Sequence, residues 1–217
     1  MTFRWKIAQA MEIRWWQKYL KNKDTTEYAA WKTQYWRNLL LEIGLLHEDN
    51  AAAGSKILDA GCGPAGIFMI FDKNQIVDAL DPLIDEYEAT LPHFKRAFYP
   101  NVRFLNQPLE DLNTKNTYDY IFCLNAINHV SNLDKAFDTL IDAAKSGGKL
   151  VVSIDAHNFP FLKKIFQALP GDILHPHQFD LKEYTHMLTQ RGCTVEKTLL
   201  KKKEFIFNYY VLVATKN

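Results

Sequence analysis

Three glycines and two acids are the residues whose types and spacing most clearly indicate a binding site. The stretch KILDAGCGPAG runs from a short apolar segment into Gly61, Gly63 and Gly66, and Asp59 stands two places before the first glycine. A second acid, Asp81, ends the next apolar segment along the chain. Glycines spaced Gly-x-Gly-x-x-Gly between a strand and a helix make a tight turn and let a ligand approach the backbone. Together with an acid after the second strand, they predict a nucleoside site in which Asp81 accepts the ribose hydroxyls.

Two cofactor classes place a nucleoside in this way, a nicotinamide dinucleotide and S-adenosylmethionine. A dinucleotide brings two phosphates to the first turn, where the charge of Asp59 would repel them. S-adenosylmethionine has no phosphate and carries a positive sulfonium and a positive amino group, which an acid attracts. Asp59 therefore favours the methyl donor.

Composition narrows the possible partners. The 217 residues are 47% hydrophobic and 24% charged, with a formal net charge of +1. Such a balance is typical of a globular protein with one full core, and it predicts no nucleic-acid partner and no membrane contact. The three cysteines contain no CxxC pair, which together with the lack of an apolar leader segment predicts a cytoplasmic protein.

The amino-terminal segment predicts two amphipathic helices. Apolar residues recur at helical spacing across residues 3–47, with a polar break at KNKDTT. All five tryptophans, at positions 5, 15, 16, 31 and 36, lie in this segment. We expect residues 1–50 to form a helical extension, either simply packed on the core or acting as a lid over a ligand, and residues 51–217 to form the main domain.

Alternating strand and helix patterns follow this extension. Five apolar runs, KILDA, IVDALD, VRFLN, YDYIFCLN and KLVVSID, are each separated by enough residues for a helix or a crossover. This order predicts a doubly wound α/β fold with a mostly parallel sheet. The last two runs, TVEKTLL and NYYVLVAT, are joined by too short a connection for a crossover helix, which predicts an antiparallel pair.

Two later helices have recognisable start signals. Ser131 and Asp134 are expected to cap the helix that follows the fourth strand. Asp180 and Glu183 form a second capping pair.

At this point the sequence resembles a known family. ILDAGCGPAG is similar to the first motif of class I S-adenosylmethionine-dependent methyltransferases, and VDALDP is similar to the second. The block from YDYIFCLN to VVSID resembles the small-molecule methyltransferases of type 11. This resemblance implies a three-layer, seven-stranded sheet of order 3-2-1-4-5-7-6 with strand 7 antiparallel.

The resemblance also implies cofactor-binding residues. They are Asp59, Ala60, Gly61, Cys62, Gly63 and Gly66 at the methionine end, Asp81 at the ribose, Pro82 near the adenine, and the backbone of Leu124 and Asn125. The chain departs from the family at Pro108, which stands where an acid usually binds the adenine amino group. We expect the Leu109 backbone to contribute there, with Glu110 or Asp111 in place of the missing acid.

Histidines at the ends of the fourth and fifth strands, or in the segments that cap them, are the candidate bases, because imidazole suits proton transfer near neutral pH. We expect His129 and His177 to be the best of them, and no metal site. Candidate acceptor-binding residues are Trp31, Tyr35, His157, Phe159 and His175. The aromatic residues among them suggest an apolar or aromatic acceptor, or only packing of the extension on the sheet.

The sequence thus predicts a methyltransferase, monomeric or homodimeric, that uses S-adenosylmethionine on an unidentified small molecule. Two alternatives stay open. One is a nicotinamide-dependent oxidoreductase of the same fold, against which Asp59 argues. The other is a non-catalytic binding module, which the Pro108 departure favours.

Overall fold

Seven strands form one mixed sheet in a computed structural model that describes residues 3–45, 54–159 and 179–217. The strands are β1 Lys56–Ala60, β2 Ile76–Leu80, β3 Val102–Leu105, β4 Tyr118–Cys123, β5 Ala144–His157, β6 Cys193–Lys203 and β7 Phe207–Lys216. Their order is β3-β2-β1-β4-β5-β7-β6. β7 runs antiparallel to both of its neighbours, and the other pairs are parallel. The expected topology is therefore confirmed.

Five α-helices flank the sheet in the described part of the chain. They are α1 Phe3–Leu20, α2 Thr25–Ile43, α3 Ile84–Thr90, α4 Leu133–Ala143 and α5 Leu181–Thr189. Side chains of α2 and α3 pack with one face of the sheet, and those of α4 and α5 pack with the other. The molecule is thus a three-layer α/β sandwich, as the strand and helix pattern predicts.

The strand sequences divide between these two layers. Within β1, Ile57 belongs to the core under α2 and α3, while its neighbour Leu58 belongs to the core under α4 and α5. Because successive side chains of a strand point to opposite faces, a strand buried on both sides reads as a continuous apolar run. That is why KILDA and its counterparts are mostly apolar and do not alternate strictly between apolar and polar residues.

Capping residues fix both ends of α2, the second helix of the hairpin that α1 and α2 form. Asp24 caps α2 by accepting hydrogen bonds from the backbone N–H groups of Thr26 and Glu27, at 2.8 and 3.0 Å. Gly44 ends the same helix in the left-handed conformation, with φ of 78°. Both ends of α2 are thus set by residues that the sequence makes visible.

The two later caps have different outcomes. The capping box of Asp180 and Glu183 is present, and the Phe179 and Tyr184 rings pack 5.8 Å apart across it. The Ser131 prediction is wrong, because Asn132 is the N-cap of α4 and accepts from the Lys135 N–H at 3.0 Å. Ser131 instead donates its hydroxyl to Glu110, which lies far away in the sequence.

No helix among the described residues is long and apolar enough to cross a membrane.

Candidate functional site

A cavity opens at the edge of the sheet where β1, β2 and β4 end. The side of α1 that faces the sheet covers it, and its volume is ≈ 530 Å³ including the solvent at its mouth. The lining residues are Gln9, Glu12, Gly61, Leu80, Asp81, Pro82, Pro108, Leu109, Glu110, Asn125, Ala126, His129 and Val130. In open α/β sheets this edge, at the point where the strand order reverses, is where ligands bind.

The glycine turn after β1 is held in place by its backbone. The N–H groups of Gly61 and Cys62 both donate to the carbonyl oxygen of Leu80, at 2.7 and 3.0 Å. Gly61 has φ of +72°, and a Cβ added there would lie 2.3 Å from the Cβ of Ala126. Only glycine meets both conditions, the left-handed backbone and the close approach of the segment after β4.

Asp81 organises the next part of the site. Its Oδ2 accepts a hydrogen bond from the Gly63 N–H at 3.0 Å, and its Oδ1 accepts from the Leu83 N–H at 2.9 Å. The residue is 5% exposed, and it lines the cavity. One carboxylate therefore ties the glycine turn to the start of α3 and presents its remaining lone pairs to the cavity.

Asp59 lies behind the glycine turn rather than among the residues that line the cavity. Its Oδ2 accepts from the Phe68 N–H at 3.0 Å, and a Cβ on Gly66 would lie 2.3 Å from the same oxygen. Gly66 is thus small so that the Asp59 carboxylate can reach the backbone beyond it. Burial raises the pKa of Asp59 to about 7, although the backbone donors oppose this shift.

Two other acids, Glu12 and Asp59, lie close enough to Asp81 to repel its charge. Burial first, and then the neighbouring Glu12 carboxylate, raise the pKa of Asp81 to about 7. Asp59 of β1 adds to this repulsion, and the Tyr87 hydroxyl of α3 donates to Glu12 at 3.1 Å. When no ligand balances their charge, these acids repel one another as they ionise, and the folded protein becomes less stable.

Glu12→Gln is expected to make the unliganded protein more stable at pH 8, by about 1.4 kcal/mol for each unit by which the pKa of Asp81 falls. The sign follows from the raised pKa. Asp81 contributes stability that is complete below the unfolded pKa of 3.8 and is lost as the pH rises through about 7. The substituted amide keeps an acceptor for Tyr87 but removes the charge that faces Asp81. Urea unfolding at pH 5 and pH 8 measures the difference between the two proteins.

Glu86→Gln is the matched control, because Glu86 is an exposed acid on α3. It should leave the change in stability between the two pH values as in the wild type. An equal gain from Glu12→Gln at pH 5 and at pH 8 would contradict the electrostatic explanation.

The segment after β4 closes the far side of the cavity. Asn125 has φ of 56°, which is uncommon for a residue other than glycine. Its N–H donates to the Ser153 hydroxyl of β5 at 2.6 Å. Strained backbone of this kind concentrates at functional sites, and here it directs the chain from the buried Leu124 into the cavity wall.

The turn after β3 contributes Pro108, Leu109 and Glu110 to the lining. One oxygen of Glu110, Oε1, already accepts from the Ser131 N–H at 2.7 Å and the Asn132 N–H at 3.1 Å. Asp111 is exposed and pairs with a lysine at 3.6 Å, and it does not line the cavity. Of the two acids expected to replace the one missing at Pro108, Glu110 is at the cavity but is bound to the loop before α4.

The candidate bases separate. His129 lines the cavity, in the turn that follows β4. His177 lies outside the described residues, as does His175. Within the described ranges, no three His, Cys, Asp or Glu side chains cluster as a metal site would require.

The other expected acceptor-binding residues do not line this cavity. Trp31 is 52% exposed and borders a separate depression beside Tyr19 and Tyr28. Tyr35 packs against Trp31 and Trp36 within the same helix. His157 and Phe159 lie at and beyond the end of β5, with their rings against Phe207 and Phe205. Their part in acceptor binding remains a prediction.

Three polar residues of the helical hairpin enter the site region without a signal in the sequence. Gln9 and Glu12 line the cavity from α1. Lys32 of α2 lies near Asp59, with its ammonium group 4.7 Å from the ring centre of Trp36, and burial lowers its pKa to about 8. Their helical spacing could have shown that Gln9 and Glu12 share a face, but only docking shows which face meets Asp81.

Known proteins resemble this chain in sequence. A family model described as a methyltransferase domain matches residues 28–198. Ubiquinone biosynthesis O-methyltransferase of Rickettsia akari is 26% identical in an alignment 150 positions long, which covers 60% of this chain and 59% of that protein. The matched part thus falls short of two thirds of the relative's length.

Solved structures share the fold. 1,6-didemethyltoxoflavin-N1-methyltransferase of Burkholderia thailandensis, solved with S-adenosylhomocysteine and its acceptor, superposes with a TM-score of 0.61 at 14% identity, over 100% of this chain and 91% of that one. Magnesium protoporphyrin IX methyltransferase of Synechocystis PCC 6803, also solved with S-adenosylhomocysteine, gives 0.58 at 20% identity, over 85% and 83% of the two chains.

The family match covers far more than half of the chain and includes the glycine turn, Asp81 and the strands that position them. It agrees with the seven-stranded sheet and with the motifs from which the resemblance was drawn. The chain belongs to the methyltransferase domain family.

Proposed function

We propose that this protein transfers a methyl group from S-adenosylmethionine to a small-molecule acceptor. The observation that carries the proposal is the lining of the cavity at the ends of β1, β2 and β4. It combines a glycine turn with the carboxylates of Asp81 and Glu12, and its described lining includes no lysine or arginine. A site of this kind suits a nucleoside attached to a cation, and it disfavours a pyrophosphate.

The fit to S-adenosylmethionine can be given by residue. Asp81 accepts the ribose hydroxyls with lone pairs that Gly63 and Leu83 leave open. The turn from Ala60 to Gly63, with Cys62 buried in it, surrounds the methionine end, and Asp59 holds that turn from behind. Pro82 and Leu109 supply apolar walls for the adenine, and the backbone of Leu124 and Asn125 closes the far side.

The cofactor would supply a methyl group bonded to a sulfonium sulfur. When an acceptor atom attacks the methyl carbon in line, the carbon–sulfur bond breaks and the sulfur leaves as a neutral thioether. The protein has to align that acceptor, exclude water and receive its proton. His129 is the described histidine at the cavity, so we assign it the role of candidate base. His177 remains a second candidate in a part of the chain that the structure does not describe.

The acceptor is proposed to be a small apolar or aromatic molecule that enters beside the helical hairpin. Two of the compared methyltransferases act on such rings by their names, a toxoflavin precursor and a porphyrin. Residues 1–50 act in this proposal as a lid, since α1 covers the cavity, and residues 51–217 form the catalytic domain. We place the protein in the cytoplasm, since Cys62, Cys123 and Cys193 are all free thiols, and we expect a monomer or a homodimer.

Transfer of a labelled methyl group tests the proposal. The protein is incubated with methyl-labelled S-adenosylmethionine and a panel of catechols, nitrogen heterocycles and small amines. We expect label on at least one acceptor class, and none when Asp81→Ala replaces the wild type. Binding of the cofactor without transfer to any acceptor, together with a stable complex with another protein, would instead support the non-catalytic module.

A further inference from the structure

Helix α1 brings a carboxamide to the end of the cavity where the family usually has an acid. Gln9 lines the cavity together with Pro82 and Pro108. The same three residues also border a second groove, which lies between α1 and the segments that follow β2 and β3. Gln9 is therefore placed at the two prolines, and Glu12, one helical turn further on, interacts with Asp81.

The carbonyl oxygen of Gln9 has no hydrogen-bond partner. Its Oε1 is fully buried, and no described group donates to it. Among the described residues that line the cavity, Gln9 is the one with a buried side-chain atom of this kind. A buried acceptor is stable only when a donor reaches it, so this oxygen matches a ligand that carries an N–H group.

We propose that Gln9 reads the base of the bound nucleoside, accepting a hydrogen bond from the exocyclic amino group of adenine in place of the acid missing at Pro108. This inference rests on the proposed function, since it takes S-adenosylmethionine as the ligand. Pro108 has no side-chain acceptor and no N–H, and Oε1 of Glu110 is already bound to Ser131 and Asn132. Gln9 is the described side chain at this end with a buried acceptor oxygen that no protein group reaches.

An amide in this role has a consequence that an acid does not. A carboxylate only accepts, whereas a glutamine amide offers an acceptor and a donor and exchanges them by turning over. The site should therefore tolerate a base that has a carbonyl where adenine has its amino group. It should discriminate against a purine that has only hydrogen at that position, because Oε1 then remains unpaired.

Calorimetric titration with three ligands tests the inference. They are S-adenosylhomocysteine, its inosine counterpart and its 6-unsubstituted purine counterpart. For the wild type we expect the inosine ligand to bind within about tenfold of the adenosine ligand, and the unsubstituted purine to bind about tenfold more weakly, a difference of ~1.4 kcal/mol. Gln9→Met, which keeps the length and apolar bulk of the side chain, should bring that last ratio close to one.

Gln17→Met on the exposed side of α1 is the control and should keep the wild-type ratio. Thermal melting shows whether each variant is folded. If Gln9→Met loses both ligands, the ratio measured on Gln9→Asn decides, because its shorter amide should also lower it. A wild-type ratio retained in the Gln9 variants would overturn the inference and leave the proposed function intact. Failure of the wild type to bind any of the three ligands would overturn both.

Discussion

Gly61→Ala is expected to abolish binding of S-adenosylhomocysteine and to cost at least twice as much folding stability as the same substitution at Gly192. Both glycines have similar positive φ values, +72° and +79°. A Cβ at Gly192 has no heavy atom within 4 Å, whereas a Cβ at Gly61 would lie 2.3 Å from that of Ala126. The Gly192 variant therefore isolates the cost of placing a residue with a Cβ in the left-handed conformation, about 1 kcal/mol.

The additional loss at Gly61 comes from moving the segment after β4 away from the turn, which typically costs about 1–3 kcal/mol. That movement also opens the cavity wall at Ala126 and Asn125. Urea unfolding gives the stabilities, and calorimetric titration gives the affinities. Equal destabilisation of the two variants, with binding retained in Gly61→Ala, would show that the glycine turn is not the cofactor site.

Asp81→Ala is expected to weaken binding of S-adenosylhomocysteine by at least 100-fold. Two hydroxyl groups would lose a charged acceptor, and such hydrogen bonds contribute roughly 1.5–3 kcal/mol each. The backbone N–H groups of Gly63 and Leu83 would lose their acceptor as well, so the turn itself would loosen. Equilibrium binding at pH 8, where most of Asp81 is ionised, measures the effect.

Asp111→Ala serves as the control for this substitution, because Asp111 is an exposed acid in the turn after β3. It should bind within threefold of the wild type. If Asp81→Ala and Asp111→Ala have the same affinity as the wild type, the ribose assignment is wrong.

The fold and the centre of the site could be predicted because both depend on local patterns. Apolar runs of strand length, separated by capped helices, determine a doubly wound sheet. Gly61 and Asp81 follow two parallel strands that are neighbours in that sheet. The topology therefore predicts that they lie close together at one edge of it. The capping box at Asp180 likewise needs only residues three apart.

What could not be predicted depends on contacts between distant segments. The sequence predicts Ser131 as an N-cap. In the structure Glu110 accepts hydrogen bonds from the N–H and the hydroxyl of Ser131, and Asn132 caps the helix instead. The side of α1 that faces the cavity is another example. Helical spacing predicts which residues share that face, but it does not predict what the face contacts. Gln9 and Glu12 acquire their meaning only when α1 is docked over Asp81.

The tryptophans are a case in which the sequence suggested a contact with the cavity that the described residues do not make. Their density in residues 3–47 suggested a lid with an aromatic lining. Of the described ones, Trp36 anchors α2 by donating to the Ala65 carbonyl at 3.0 Å, while Trp15 and Trp31 are exposed. The part of the hairpin that lines the cavity is polar, and it belongs to α1.

Calorimetric titration of the wild-type protein with S-adenosylhomocysteine and, separately, with NADH tests the cofactor assignment most directly. The site described here predicts a dissociation constant well below 1 mM for S-adenosylhomocysteine, which corresponds to more than ~4 kcal/mol of binding free energy. It predicts no binding of NADH, because the acids around the cavity repel a pyrophosphate. No heat of binding with S-adenosylhomocysteine, or binding of NADH in its place, would contradict the account.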